Sequence, residues 1–446
     1  MAQNHKKKRP RSKGRGGKSR SRTLETLDLE LRVDELGRHG DGIGRLEGDA
    51  DAQAIFVANA LPNELVRART AGNRGDVLEI LEPAPDRVEP ICKHFGKCGG
   101  CVAQQMSEQI YLDWKIGIVS TALQNKNVDV DVSELRDAHG EGRRRVTYHA
   151  QLENGKVRAG FMQSRSRELV TIDACPILSR ALKDSPVIAR ELALPFAKTV
   201  RQLDIAITQT AQGLDCDVRG AEDVNYDIHV SLAELGDKWD LARITLDGVI
   251  ELERRKPVLP IGDISLPLPP GGFLQATELG ERTLSELVVE ETGDANRVAD
   301  LFCGVGPFAL RLAKTATVYA ADSNEVAVRA LRTGFSHAVG LKQVEAEVRD
   351  LFRNPLYRDD LDEFDAVILN PARAGAQAQS EELAASNVPL IIYVSCDPAT
   401  LARDAALLVE GGYTFQRITL VDQFKYASHI ETVSVFRASP CQKVSI

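Results

Sequence analysis

The clearest patterning lies in the last third of the chain. Short strand-like segments at 298–302, 317–322, 344–349, 364–370 and 390–396 recur with helical-period stretches between them, and two further segments follow at 414–421 and 431–437. Compact apolar runs of four to seven residues suit strands buried on both faces, and their alternation with amphipathic helices predicts a doubly wound parallel sheet ending in an antiparallel pair. Seven strands in that order form an α/β, Rossmann-like sheet. Upstream the period changes. Between 24 and about 83, short alternating segments (27–33, 54–57, 65–69, 76–81) are separated by Gly, Asn, Asp and Pro, most densely in GRHGDGIG at 37–44, which predicts a small five-stranded, OB-like barrel. An amphipathic helix is expected over 110–123, and 143–247 reads as a mixed, strand-rich α+β region. The Pro- and Gly-rich stretch 257–272 reads as a linker. The expected organisation is a tail (1–23), a barrel (24–85), a central domain (86–265) and a catalytic domain (266–446).

Charge adds a division that the apolar pattern does not show. The net charge is −8, yet residues 1–22 hold ten Lys and Arg and no acid, leaving 46 basic against 64 acidic side chains elsewhere, a net of −18. A tail of Lys, Arg, Gly and Ser cannot bury enough apolar surface to fold, and such arms bind polyanions by releasing counterions. An acidic body confines any nucleic-acid face to local basic patches. Arg143, Arg144 and Arg145, with Arg158, Arg165 and Arg167, form one such concentration, open to reading as an anion site or as a solvated face. No apolar run approaches the roughly 18–20 residues of a membrane span, and no signal-peptide core is present. The expectation is therefore a cytoplasmic, monomeric protein with no membrane partner.

In a reducing compartment the eight cysteines are better read as ligands, catalytic thiols or core residues than as disulfides. Cys92, Cys98 and Cys101 lie in PICKHFGKCGGC, and Cys175 follows in DACPIL. Four thiolates, three of them on a Gly-rich loop, suit a [4Fe-4S] cluster or a structural zinc, and C-x5-C-x2-C with one distant cysteine leans toward iron-sulfur. Cys216, on an alternating strand, reads as core.

The first strand of the catalytic region runs into Asp300-Leu-Phe-Cys-Gly304-Val-Gly306-Pro. Glycines at a strand-to-helix turn let the backbone approach a ligand, and Asp322, 18 residues after Gly304, stands where a carboxylate holds a ribose diol. Without a third glycine or basic residues for a pyrophosphate, the pattern favours S-adenosylmethionine over a dinucleotide. Asp350, after the third strand, is placed for the adenine edge, and Asn370, after the fourth, for the reacting methyl group. Cys396 ends the apolar run LIIYVSC at the sheet edge that carries ligands, just before a helix whose N-terminus is expected to lower a thiol pKa. A small buried core cysteine is the plainer alternative.

Taken together, FLQ (273–275), DLFCGVGPF (300–308), NPARAG (370–375), SCDPATLARD (395–404) and HIE (429–431) resemble, in order, the motifs of the 5-methyluridine RNA methyltransferase family of TrmA and RlmD type, over essentially the whole chain. The resemblance implies a class I S-adenosylmethionine-dependent methyltransferase fold with Cys396 as nucleophile and Glu431 as base. Gln275, Phe302, Asp322 and Asn370 fall on cofactor-binding positions. Phe273, Gln275 and Arg373 are assigned to substrate, and Cys92, Cys98, Cys101 and Cys175 match members that carry a [4Fe-4S] cluster. The barrel is similar to the TRAM module, with Arg38, His39, Arg45, Arg67 and Arg69 facing RNA. The family usually reads Asp-Pro-Pro-Arg where this chain has Asn370-Pro-Ala-Arg373, and Pro307 and Thr277 also depart from its pattern. The implied chemistry is coherent: uracil C5 becomes nucleophilic once a thiolate adds to C6, and a carboxylate must then remove the C5 proton. An RNA cytosine methyltransferase would carry a second cysteine near Ala372. Ribosomal (23S) RNA is favoured over transfer RNA, and an RNA-binding assembly protein with lapsed chemistry is the alternative.

Overall fold

The computed structural model describes residues 26–46, 53–153, 155–262 and 264–439. The basic tail and Cys441 lie outside them. Two compact units are present, one within Met1–Glu35 and Gly42–Pro83 and the other formed by Leu36–Asp41 with Ala84–Ile446.

The first unit is a closed five-stranded barrel of Thr26–Leu36, Gly42–Leu46, Ile55–Ala58, Leu65–Ala71 and Arg74–Glu82. Alternation places Leu31, Val33, Val57, Val66 and Ala68 inside, all at most 1% exposed. The outward positions carry paired charges, Arg67 with Glu30 and Glu79, and Arg69 with Asp28. Part of the glycine cluster read as a separator is itself a strand. Gly42 must lack a side chain there, because a Cβ would stand 2.8 Å from Val33.

The second unit holds two large sheets. In the seven-stranded central sheet, Arg145–Glu153 pairs with Lys156–Met162 and Gln202–Thr210, and Gly213–Arg219 with Arg243–Leu246. Cys216 is fully buried in its core. The catalytic sheet runs Val344–Val348, Thr317–Asp322, Arg297–Leu301, Ala366–Leu369, Leu390–Ser395, Glu431–Ala438, Tyr413–Asp422 and Glu134–Asp137. The first five are parallel, and Glu431–Ala438 runs antiparallel to both neighbours.

Two expectations are corrected here. The catalytic sheet has eight strands rather than seven, because Glu134–Asp137 adds a parallel edge to Tyr413–Asp422. Its sequence, ELRD, carries no apolar signal, and it is held partly by Thr419 Oγ1 donating to Glu134 Oε2 at 3.0 Å. The helix Glu108–Gln124 likewise packs on this sheet's layer, with Val119 and Leu123 in its core. The stretch read as a linker is a hairpin, Val258–Ile261 with Ile264–Pro267, whose Leu259, Ile261 and Leu266 are buried in the catalytic core. Pro and Gly mark its turns without preventing it from packing.

Candidate active site

Cys396 and Glu431 stand side by side because two strands end there. In the antiparallel pair Leu390–Ser395 and Glu431–Ala438, Ser395 lies opposite Thr432, and the next residues outward are Cys396 and Glu431, near enough for the carboxyl to act on the thiol. Thr432 Oγ1 closes the pair by donating to Ser395 O at 3.3 Å. The chain then turns into the helix Pro398–Glu410. Asp397 caps it, Oδ1 accepting from Ala399 N (2.9 Å) and Thr400 N (3.2 Å), while Arg38 donates to its other oxygen at 3.1 Å.

The electrostatics differ from expectation in one respect. Cys396 is not activated by the helix that follows it: burial, then the neighbouring Glu431, pushes its thiol up to about 11, against the opposing pull of Arg373. Glu431 is buried, and desolvation raises its carboxyl to about 7 despite a hydrogen bond from Gln423 and the charge of Arg373. His429 is held neutral, its pKa lowered to about 4 by burial and by the cations Arg373, Lys115 and Arg143. Arg373 lies within hydrogen-bond distance of its Nε2, at 3.1 Å.

A chain of amides joins these groups to the FLQ segment. Gln423 Nε2 donates to Gln275 Oε1 (2.6 Å) and to Glu431 Oε1 (3.2 Å), and Gln423 Oε1 accepts from Thr277 N at 3.3 Å. Gln275 is itself fixed from behind, its carbonyl accepting from buried Arg144 Nε at 3.1 Å. The solvated-face reading of the arginine run therefore fails for Arg144, and Arg145 too is largely withdrawn, stacked 4.4 Å from the centre of the exposed Phe273 ring. Gln423 carried no motif signal, since its partners are 148 and 8 residues away.

The cofactor candidates gather at the same carboxyl edge, at the ends of the neighbouring parallel strands. Phe302 has φ +63°, a left-handed conformation that costs a non-glycine residue energy, and its ring packs on Phe352 at 5.2 Å. Gly304 (φ +55°) donates its N–H to Asp322 Oδ2 at 2.9 Å, and a Cβ there would meet nothing within 4 Å. Gly306 (φ +79°) is different, since a Cβ would strike Leu331 at 2.5 Å. Asp322 Oδ1 accepts from Asn324 N, exposed Asp350 accepts from Phe352 N, and half-buried Asn370 follows Ala366–Leu369 with its N–H on Leu301 O. Asp300 is fully buried, bonded through one oxygen to Ala309 N, and raised to about 7 by desolvation.

Comparison with known proteins agrees with this geometry. The tRNA (uracil-5-)-methyltransferase family profile matches residues 270–438. An uncharacterised RNA methyltransferase of Caulobacter vibrioides is 41% identical, over 91% of this chain and 99% of its own length. The 23S rRNA (uracil(1939)-C(5))-methyltransferase RlmD of Aeromonas hydrophila is 31% identical, over 94% and 98%. The chain belongs to the 5-methyluridine RNA methyltransferase family. It is an S-adenosylmethionine-dependent RNA methyltransferase. The structure of the Pyrococcus abyssi tRNA (uracil-54, C5)-methyltransferase in complex with S-adenosyl-L-homocysteine aligns over 92% of this chain and 99% of its own at a TM-score of 0.71 and 21% identity, which fixes the class I methyltransferase fold.

The four cysteines form a separate group. Cys92, Cys98, Cys101 and Cys175 all line a cavity of about 640 Å³, together with Arg143, Arg145, Arg219 and Phe424. Gly99 allows the loop to press against the central sheet, where a Cβ would stand 3.0 Å from Met162 O, and Gly100 N points at Cys98 Sγ at 3.4 Å. Burial raises Cys101 to about 12 and Cys175 to about 11. Among the described residues, no three or more His, Cys, Asp or Glu are drawn together to hold a metal ion.

Proposed function

We propose that this chain forms 5-methyluridine in ribosomal RNA, with Cys396 as nucleophile and Glu431 as base. The observation that carries this reading is the placement of a thiol and a carboxyl, near one another on adjacent strand ends, at the ligand-binding edge of a methyltransferase sheet. Glu431 is tuned to its part, whereas the surroundings hold Cys396 protonated. Cys396 rests as a thiol; it gives its proton to solvent and the thiolate adds to uracil C6, leaving C5 electron-rich. S-adenosylmethionine, when bound, supplies the sulfonium methyl group. Glu431, near pH 7 half ionised, takes the C5 proton; the C5–C6 double bond then re-forms and the bond from C6 to Cys396 breaks. Gln423 holds Oε1 of the base, and Arg373 supplies positive charge beside both groups.

The residues around the glycine loop suit the cofactor: Gly304 leaves open space, Asp322 is fixed for a ribose diol, and the strained Phe302 presents its ring beside Phe352. For the cysteines, the donor set fits a [4Fe-4S] cluster: Cys92, Cys98, Cys101 and Cys175 line one cavity and would each give a thiolate to it. Such a cluster would be structural or serve in docking, since uracil methylation by this route moves no net electrons. The barrel is assigned to RNA binding, its Arg67 and Arg69 sitting in exposed, solvent-screened pairs that can exchange their carboxylates for phosphates. Ribosomal RNA is favoured because the Aeromonas relative named for it matches along nearly its whole length.

The test is a trapping experiment with radiolabelled S-adenosylmethionine and an RNA containing the target uridine. Glu431→Gln is expected to methylate once and stall as a denaturation-resistant protein–RNA adduct carrying the label, and Cys396→Ala to give neither adduct nor product. Normal turnover by either variant would overturn the assignment.

A further inference from the structure

Residues 423–430 connect Tyr413–Asp422 to Glu431–Ala438, so they carry His429 and deliver the proposed base. Connections of this kind normally lie free on a surface. This one is held by a buried cation on another element. Lys115, on the helix Glu108–Gln124, is 0% exposed, and its Nζ donates to Asp422 Oδ1 (2.9 Å), His429 O (2.6 Å) and Phe424 O (3.4 Å). Those are the three bonds an ammonium can make. Asp422 also accepts from the hydroxyl of Tyr111, one turn earlier on the same helix.

The middle of the connection is fixed as firmly. Tyr426 has φ +64°, a strained conformation for a side chain of its size, yet both of its backbone polar groups are engaged. Its N–H donates to Tyr111 Oη at 3.0 Å and its carbonyl accepts from Val102 N at 2.8 Å. Arg143 lies over the Phe424 ring at 5.5 Å. A buried ion pair is a poor way to hold a helix on a sheet, since an apolar pair of the same size does so without desolvating charges. What the charges add is direction: two loop carbonyls and one strand-end carboxylate are held at defined points.

We propose that Lys115, acting through Asp422 and Tyr111, is a positioning residue for the proton-removal step. It holds residues 423–430 so that Glu431 faces the target carbon. The inference rests on the reading of Glu431 as base. Step selectivity follows from where the contacts fall. The backbone around Cys396 is set by its own strand and by the Asp397 cap, neither of which Lys115 touches. The hydrogen bond to Glu431, by contrast, comes from Gln423, the residue after Asp422 and the first of the clamped connection.

The experiment follows one turnover with labelled methyl groups, measuring formation and decay of the covalent adduct separately in the full-length wild type, Glu431→Gln, Lys115→Met and Tyr111→Phe. Lys115→Met is expected to form the methylated adduct within about twofold of the wild-type rate and release it at least tenfold more slowly. Tyr111→Phe, which keeps the ion pair and the ring, is expected to slow release a few-fold and carries the test alone if Lys115→Met does not fold. Release at the wild-type rate in the folded clamp variants, with Glu431→Gln stalled, would overturn the positioning role and leave the base intact, as would equal slowing of formation and release, the mark of a merely structural residue. Wild-type release by Glu431→Gln would remove the base assignment and the clamp with it.

Discussion

Because Glu431 is buried against Gln423 and titrates near pH 7, its value to catalysis and its effect on stability point in opposite directions. As the base of the step after methyl transfer it must be ionised, so the rate of adduct release is expected to rise between pH 6 and 8 with an apparent pKa near 7, while adduct formation rises with Cys396, toward about 11. A pH–rate profile flat across that range would contradict the assignment of Glu431. For stability, a carboxyl whose folded pKa lies above its unfolded value favours the fold at low pH, and that contribution is lost as pH rises through about 7. Glu431→Gln should therefore match wild type near pH 4 and exceed it at pH 8.5 by up to about 3 kcal/mol, since each pH unit separating the folded and unfolded titrations is worth about 1.4 kcal/mol; denaturant unfolding at the two pH values measures the difference. The placement of Cys396 and Glu431 at strand ends was legible because apolar runs and the residues that end them are local in sequence. Gln423 and Lys115 were not, since each acquires its meaning from partners as far as 148 and 314 residues away.

At the scale of elements, the cofactor turn separates two glycines that look alike in the sequence. Gly306→Ala places a methyl group 2.5 Å from Leu331 at φ +79° and should cost about 1–3 kcal/mol of stability through strain and overpacking. Gly304→Ala meets no atom within 4 Å, so it should unfold closer to wild type while weakening S-adenosylmethionine binding by tenfold or more, because its methyl group enters the space left for the ligand. Calorimetric binding and thermal unfolding of both variants decide the matter, and equal loss of affinity without any difference in stability would contradict it. The central parallel strands Arg297–Leu301, Ala366–Leu369 and Leu390–Ser395 were readable because burial on both faces leaves compact apolar runs. The hairpin Val258–Ile261 with Ile264–Pro267 escaped, since alternation over four residues between prolines is indistinguishable from a linker until a core lies against it. The polar edge strand Glu134–Asp137 escaped for the opposite reason, being held by backbone pairing and a threonine rather than by apolar side chains.

For the whole molecule, the basic tail and the cysteine cavity make predictions independent of the catalytic pair. Removing residues 1–22 should weaken RNA binding and flatten its salt dependence, each phosphate neutralised on a single strand contributing about −0.7 to the slope of log affinity against log salt, with cofactor affinity unchanged. An unaltered slope would make the tail a solubilising segment. Protein purified without oxygen should be brown and hold about four irons per chain if Cys92, Cys98, Cys101 and Cys175 carry a [4Fe-4S] cluster; a colourless protein with stoichiometric zinc would assign the cavity to that metal instead. The basic run and the four cysteines are read directly from the sequence. The most direct test of the central claim is mass spectrometry of nucleosides from separated ribosomal and transfer RNA, with and without the gene. The account predicts that 5-methyluridine falls in large-subunit ribosomal RNA and returns with the wild-type gene but not with Cys396→Ala. Loss confined to transfer RNA would redirect the substrate, and 5-methyluridine unchanged in every fraction would contradict the account.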